Sequence, residues 1–234
     1  MGIIDEGAAP PTRITGLAND VPVEFFLARH GQTEWNVRGR RQGQLDSPLT
    51  PDGVAQAHHI GELLADQRID SVFASPLGRA LTTATICATR LRVPVITMPT
   101  LAEIDHGAWA GLTDPQIAEE YPEQYGHRNT DKYHFQFPGG ESYANADQRA
   151  LAALVAIADR HVRRPLVVSH EMIGRLLRRH LLGLTPSEAL AWNHPHGVVF
   201  RIRYHEAKTT PTDEPQATRE TEPDPATTTR SPAR

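Results

Sequence analysis

Short, mostly apolar runs alternate along this chain with longer stretches whose apolar residues recur every three or four positions. The runs at residues 23–28, 71–74, 93–98, 165–169 and 197–204 predict strands. The run at 165–169 has the pattern of a strand buried on both faces. The periodic stretches predict helices over 51–66, 77–91, 142–163 and 171–182. Thr50 is the expected N-cap of the first and Pro51 its first-turn residue. Ala57, Ile60, Gly61 and Leu64 share one face of it. The second turns Leu81, Ala84, Ala88 and Leu91 inward, with Cys87 on the same face. The third turns Leu151, Leu154, Val155 and Ala158 inward, and the fourth Ile173, Leu176, Leu177 and Leu181. Strands alternating with helices predict an α/β fold, here a three-layer α/β/α sandwich around a mixed, mostly parallel sheet.

Two ends of the chain have no period. Residues 1–21, rich in Pro, Gly and Ala, read as a disordered lead, and 206–234, rich in Thr, Pro, Glu and Asp, as a disordered tail. The domain then spans 22–205. Within it, 31–50 reads as a long loop, and 99–140 as a polar, aromatic insert covering a site.

Composition narrows the picture. The chain of 234 residues fits one domain with a sizeable core. A net charge of −4 argues against a general nucleic-acid or anionic-membrane surface but leaves room for a focused basic pocket. The single cysteine cannot form an internal disulfide, which suits a reducing compartment. No stretch approaches the roughly 20 apolar residues of a membrane span. MGIIDEGAAPP lacks the parts of a secretory leader, and Glu6 stands where a myristoylation motif needs Ser or Thr. The cytoplasm is the expected location.

The chemistry-bearing residues sit just past the strands. Arg29 and His30 follow the first run, Arg79 lies beyond the second, and His170 follows the run at 165–169. Ligands of open α/β sheets bind at the carboxyl ends of strands, where Gly31 lets backbone approach whatever is bound. Converging ends would form one pocket of guanidinium groups and imidazoles. Arginine suits bidentate recognition of phosphate. A neutral imidazole can attack phosphorus and divide one hard step into two. Hydrolysis then needs an acid for the leaving oxygen and a base for water.

RHGQTEWN (29–36), SPLGRA (75–80), Glu103 in LAEIDHGAW (101–109) and SHEMIGR (169–175) resemble, in order, the motifs of the histidine phosphatase superfamily, with its phosphoglycerate mutase-like fold. The resemblance implies that His30 is the phosphorylated nucleophile. It implies that Arg29, Arg79 and His170 hold the phosphate, with Asn36 as a further donor and Glu103 as the proton donor. That role calls for a Glu103 pKa raised by burial. It also calls for a neutral His30 whose other nitrogen donates to a backbone carbonyl. The loop GQLDSPL (43–49) resembles one beside the family's site, so Gln42 and Gly43 are candidate substrate contacts.

HRNTDKYHFQFPGGESY (127–143) is similar to the fructose-2,6-bisphosphatase branch, in the stretch that holds a second phosphate. By that match Arg128, Lys132 and Tyr143, joined by Arg175, would bind a remote anionic group. Asp114 and Glu171 replace a tyrosine and a glutamine of that branch. They bring negative charge to the same place unless they pair with Arg128, Lys132 or Arg175. His170-Glu171 begins like a zinc-protease helix, but Gly174 stands where the second histidine belongs. No metal and no cofactor are expected. Trp35, Trp109 and Trp192 read as packing residues.

The expected function is metal-independent hydrolysis of a small phosphorylated metabolite through a phosphohistidine. The alternatives are a phosphoglycerate mutase, a catalytically silent phospho-ligand binder, and a phosphatase of phosphopeptides. Partners beyond the metabolite are not expected, neither nucleic acid nor membrane. The family's members are often dimers, which makes a homodimer an expectation.

Overall fold

The computed structural model of the chain describes residues 2–6 and 23–204. The expected tail, and residues 1 and 7–21 of the expected lead, lie outside them. Six strands form one sheet in the order β1-β6-β2-β5-β3-β4, where β1 is Ile3–Glu6, β2 Val23–Arg29, β3 Ser71–Ala74, β4 Val95–Thr97, β5 Pro165–Ser169 and β6 Val199–Tyr204. Four ladders are parallel, and β2 with β6 is antiparallel. The helices are α1 Glu34–Val37, α2 Pro51–Leu63, α3 Gly78–Leu91, α4 Asp114–Glu120, α5 Pro122–Thr130, α6 Tyr143–Ala158, α7 Glu171–Leu182 and α8 Pro186–Ala191.

The strand period of two divides the core into layers. Phe26, Ala28, Val72, Ala74, Leu166 and Val168 face one way and pack with Ile60 and Leu64 at α2 and with Ala84 and Cys87 of α3. Phe25, Leu27, Phe73 and Val167 face the other way and pack with α6, α7 and the segment 99–140. This is the three-layer α/β/α sandwich that the sequence pattern predicts. Cys87 is buried, with its thiol pushed up to about 12 by burial, so it is a core residue.

Several elements differ from expectation. Ile3–Glu6, expected to be disordered, form an edge strand on β6. Two isoleucines are too few for a pattern. The strand is held by its partner and by ion pairs of Asp5 with Arg201 and of Glu6 with Arg178. The loop 31–50 contains α1, capped by Thr33 and Asn36. The strand expected at 93–98 shortens to 95–97, since Pro94 has no N–H to pair. The third helix stops at Ala158 rather than Arg163, because the chain turns out of the helix and His161 adopts φ +57. Its inner face is centred on Ala150, Ala153, Leu154 and Ile157, with Leu151 and Val155 on the flanks. The segment 99–140 is more than a cover, because Leu101, Ile104, Trp109 and Phe137 are core residues.

Gly31 has a different reason for being glycine from the expected one. A Cβ there would lie 2.2 Å from the carbonyl oxygen of Gly53, so the close approach is to the first turn of α2 rather than to a ligand. Both groups are backbone and cannot swing aside. Gly31→Ala is therefore expected to lower stability by about 2 kcal/mol or more, read as a drop in unfolding midpoint. An unchanged midpoint would contradict this packing.

Candidate active site

Neighbouring strands lie about 4.8 Å apart, and β2, β5 and β3 are adjacent and parallel. Their carboxyl ends therefore deliver His30, His170 and Ser75 side by side. The His30 and His170 rings are 5.2 Å apart. His30 is buried. Its Nδ1 donates to the carbonyl of Gly31 at 2.8 Å, which leaves Nε2 without a proton. Arg79 Nε lies 3.3 Å from that Nε2. Burial, then the neighbouring His170, Arg29 and Arg79, hold the His30 pKa well below the ordinary imidazole value. His170 is held low by the same causes, burial first and then the two arginines. Its Nε2 lies 2.8 Å from Ser75 Oγ.

Arg79 stands in the first turn of α3 and is almost fully buried. Such a cation needs its N–H groups satisfied. The loop after α1 does this: Nη1 donates to Leu45 O at 2.7 Å and Asp46 Oδ1 at 3.1 Å, and Nη2 to Gly43 O at 2.7 Å. Gly43 adopts φ +55 there, a conformation that favours glycine. Arg29 Nη1 donates to the carbonyl of His194 at 3.2 Å and pairs with Glu171 at 2.9 Å. The Arg29 Nε is buried and has no partner among the described residues, so that edge of the guanidinium can serve an oxyanion.

Glu103 approaches from segment 99–140. Its oxygens accept from the N–H of Ile104 at 3.0 Å and of Met172, in the first turn of α7, at 3.4 Å. Burial raises its pKa, opposed by those N–H groups and by Arg79 and Arg29. Arg149 of α6 fixes the approach by donating to the carbonyls of Thr100 at 2.9 Å and Ala102 at 2.6 Å.

A cavity of about 240 Å³ adjoins this cluster, lined by Arg41, Glu103, His106, Arg128, Lys132, Tyr143, Glu171, Met172 and Arg175. The four residues expected at a remote anionic group are all on its wall. Arg128 donates to the Tyr143 hydroxyl at 3.0 Å. The Lys132 pKa is lowered by burial and then by Arg128, Arg175 and Arg41, as in a site with surplus positive charge. The two acids in question are both paired. Glu171 pairs with Arg175 and Arg29, and Asp114 pairs with Arg41 at 2.7 Å.

Asn36, Gln42 and Gly43 are not on that wall. The Asn36 oxygen is committed to capping α1, accepting from Thr33 N at 3.0 Å and Thr33 Oγ1 at 2.9 Å, so only its amide nitrogen is left to donate. Gln42 is buried, and Gly43 acts through its carbonyl on Arg79. Sequence reasoning missed Arg41, Asp46, Ser75, His106, Arg149 and His196. His196 Nδ1 donates to the His30 carbonyl at 2.6 Å, and burial brings its pKa down to about 4. His106 is likewise brought down to about 3 by burial and the surrounding arginines. No group of three or more metal-ligating side chains occurs among the described residues, and no helix there is long and apolar enough to cross a membrane.

Comparison with known proteins agrees with this geometry. Residues 25–213 match the family model of the histidine phosphatase superfamily, branch 1. The chain is 35% identical over 167 residues to phosphoserine phosphatase 1 of Hydrogenobacter thermophilus, covering 71% of this chain and 79% of that one. It is 39% identical over 168 residues to "Probable phosphoglycerate mutase GpmB" of Proteus mirabilis, covering 69% and 76%. The crystal structure of the alpha-ribazole phosphatase from Shigella flexneri superposes with a TM-score of 0.72 at 28% identity, covering 77% of this chain and 94% of that one. The chain, with its two strand-end histidines and their arginines, belongs to the histidine phosphatase superfamily.

Proposed function

We propose that the protein is a metal-independent phosphatase acting on a compact phosphomonoester that carries a second anionic group. The observation that carries this reading is the His30 tautomer. Its Nδ1 proton is committed to Gly31, so Nε2 carries no proton and accepts from Arg79 Nε. In the first step Nε2 attacks phosphorus, the ester P–O bond breaks, and Glu103 gives its proton to the departing alcohol oxygen. In the second, the Glu103 carboxylate takes a proton from water, the water oxygen attacks phosphorus, and the P–Nε2 bond breaks. Arg29, Arg79 and His170 hold the transferring oxygens, with Asn36 as a further donor. Arg128, Lys132, Tyr143 and Arg175, with Arg41, hold the second anionic group. The cavity is smaller than the roughly 300 Å³ at which ligand pockets usually begin, which favours a short carbon skeleton.

A substrate panel with chelator present tests this reading. It should contain phosphoglycerates, phosphoserine, fructose bisphosphates, glucosyl-phosphoglycerate and 4-nitrophenyl phosphate. Hydrolysis is expected to survive chelation, with lower KM for esters bearing a second anionic group. Activity lost on chelation and restored by zinc or magnesium would overturn it. The likeness to GpmB favours one other reading, a mutase. Phosphoglycerate interconversion that depends on bisphosphoglycerate and exceeds hydrolysis would select it.

A further inference from the structure

Glu103 and Glu171 stand where the cavity adjoins the His30 cluster. The hydrolytic steps use only Glu103. Glu171 is the first residue of α7, directly after His170, and its carboxylate bridges two arginines. Its Oε2 is 2.9 Å from Arg29 Nη1, and its Oε1 is 2.5 Å from Arg175 Nη2. The side chain is 34% exposed and lines the cavity. An ionised carboxylate offers about four lone-pair sites, so acceptor capacity remains beyond the two arginines. Arg128 and Lys132, on the same wall, form no ion pair among the described residues, although Glu171 is near enough to act on Lys132. The cavity therefore displays cations for an anionic group and, beside them, a carboxylate. That carboxylate is paired with Arg29 and Arg175, so it does not bar an anionic group, but it offers a purely anionic ligand no hydrogen-bond partner. A ligand with a hydroxyl or ammonium in the right place finds an acceptor.

We propose that Glu171 is a specificity-determining residue. It selects phosphomonoesters with a hydrogen-bond donor, hydroxyl or ammonium, on the carbon between the ester arm and the second anionic group. This rests on the reading that the second anionic group occupies the cavity. Glu171 links the two ends of the site through Arg29 and Arg175, so a donor meeting it lies between them. A site that offers an acceptor to such a donor discriminates against the analogue that lacks it, because that hydrogen bond is then not made.

Three esters with one skeleton test the proposal: O-phosphoserine, 3-phosphoglycerate and 3-phosphonooxypropanoate, which carry an ammonium, a hydroxyl and no donor. The wild-type enzyme should favour both donor-bearing esters over the third by about tenfold or more in kcat/KM. Glu171→Met, which removes the acceptor, should bring both ratios close to one. Glu171→Gln, which keeps an oxygen but not the charge, should reduce the ammonium ratio more than the hydroxyl ratio. Ratios within one enzyme cancel any common effect through Arg29. Wild-type ratios near one, or ratios unchanged in both variants, overturn the role of Glu171. If none of the three esters has a lower KM than 4-nitrophenyl phosphate, the second anionic group itself is misassigned, and this inference falls with it.

Discussion

His30→Ala is expected to remove turnover, by on the order of 10⁴-fold or more, as when other covalent nucleophiles are deleted. The loss should be chemical rather than architectural. Arg79 keeps its bonds to Leu45, Asp46 and Gly43 when the imidazole is gone, and His170 keeps Ser75. The variant should therefore still bind inorganic phosphate and unfold cooperatively. No ordinary pH should restore turnover, because a change of pH does not replace Nε2 as the nucleophile. Turnover within tenfold of wild type would mean that water attacks the ester directly and that the two imidazoles serve only to bind.

Glu103→Gln is expected to slow hydrolysis of alkyl phosphates by about 10²- to 10⁴-fold, the range for loss of a general acid. Loss on 4-nitrophenyl phosphate should be much smaller in the first step, since nitrophenolate leaves without a proton. The pH profile gives a second readout. The attacking His30 must be neutral, and its pKa is depressed, so the acid limb of kcat/KM should lie well below the ordinary imidazole range. Glu103 must be protonated for the first step, and its pKa is raised, so activity should fall as pH climbs through that raised value. Gln cannot titrate, so the alkaline limb should vanish in the variant. An alkaline limb that persists, or equal losses of kcat/KM for both leaving groups, would reassign Glu103 to orienting the start of α7.

The central sheet is legible in the sequence because β2, β3 and β5 are buried along most of their length on both faces and so read as mostly apolar runs. The edge strand β1 is not, since its register comes from β6 and its ion pairs rather than from its own residues. Helix α8 was legible in principle: Thr185 and Glu188 form a capping box. Helix α1 was harder, because Asn36 rather than Glu or Gln completes its box. The candidate cluster of Arg29, His30, Arg79 and His170 could be picked out because each ends or directly follows a strand or lies in the first turn of the next helix, whereas Glu103, between β4 and α4, came only from the family motif. Arg41 was not, because nothing local distinguishes it from Arg38 and Arg40. Only the pairing of 40–41 with 111–114 turns it toward the cavity. His196 was missed for the same reason, since it reaches His30 through a bridge between Arg29 and the chain before β6.

Base-quenched or rapidly frozen enzyme, taken during turnover and mapped by mass spectrometry under alkaline conditions that preserve phosphohistidine, tests the account most directly. Wild-type protein should carry one phosphoryl group on His30 and none on His170, with no such species in His30→Ala. Turnover without any phosphoenzyme, or with the phosphoryl group on another residue, would contradict it.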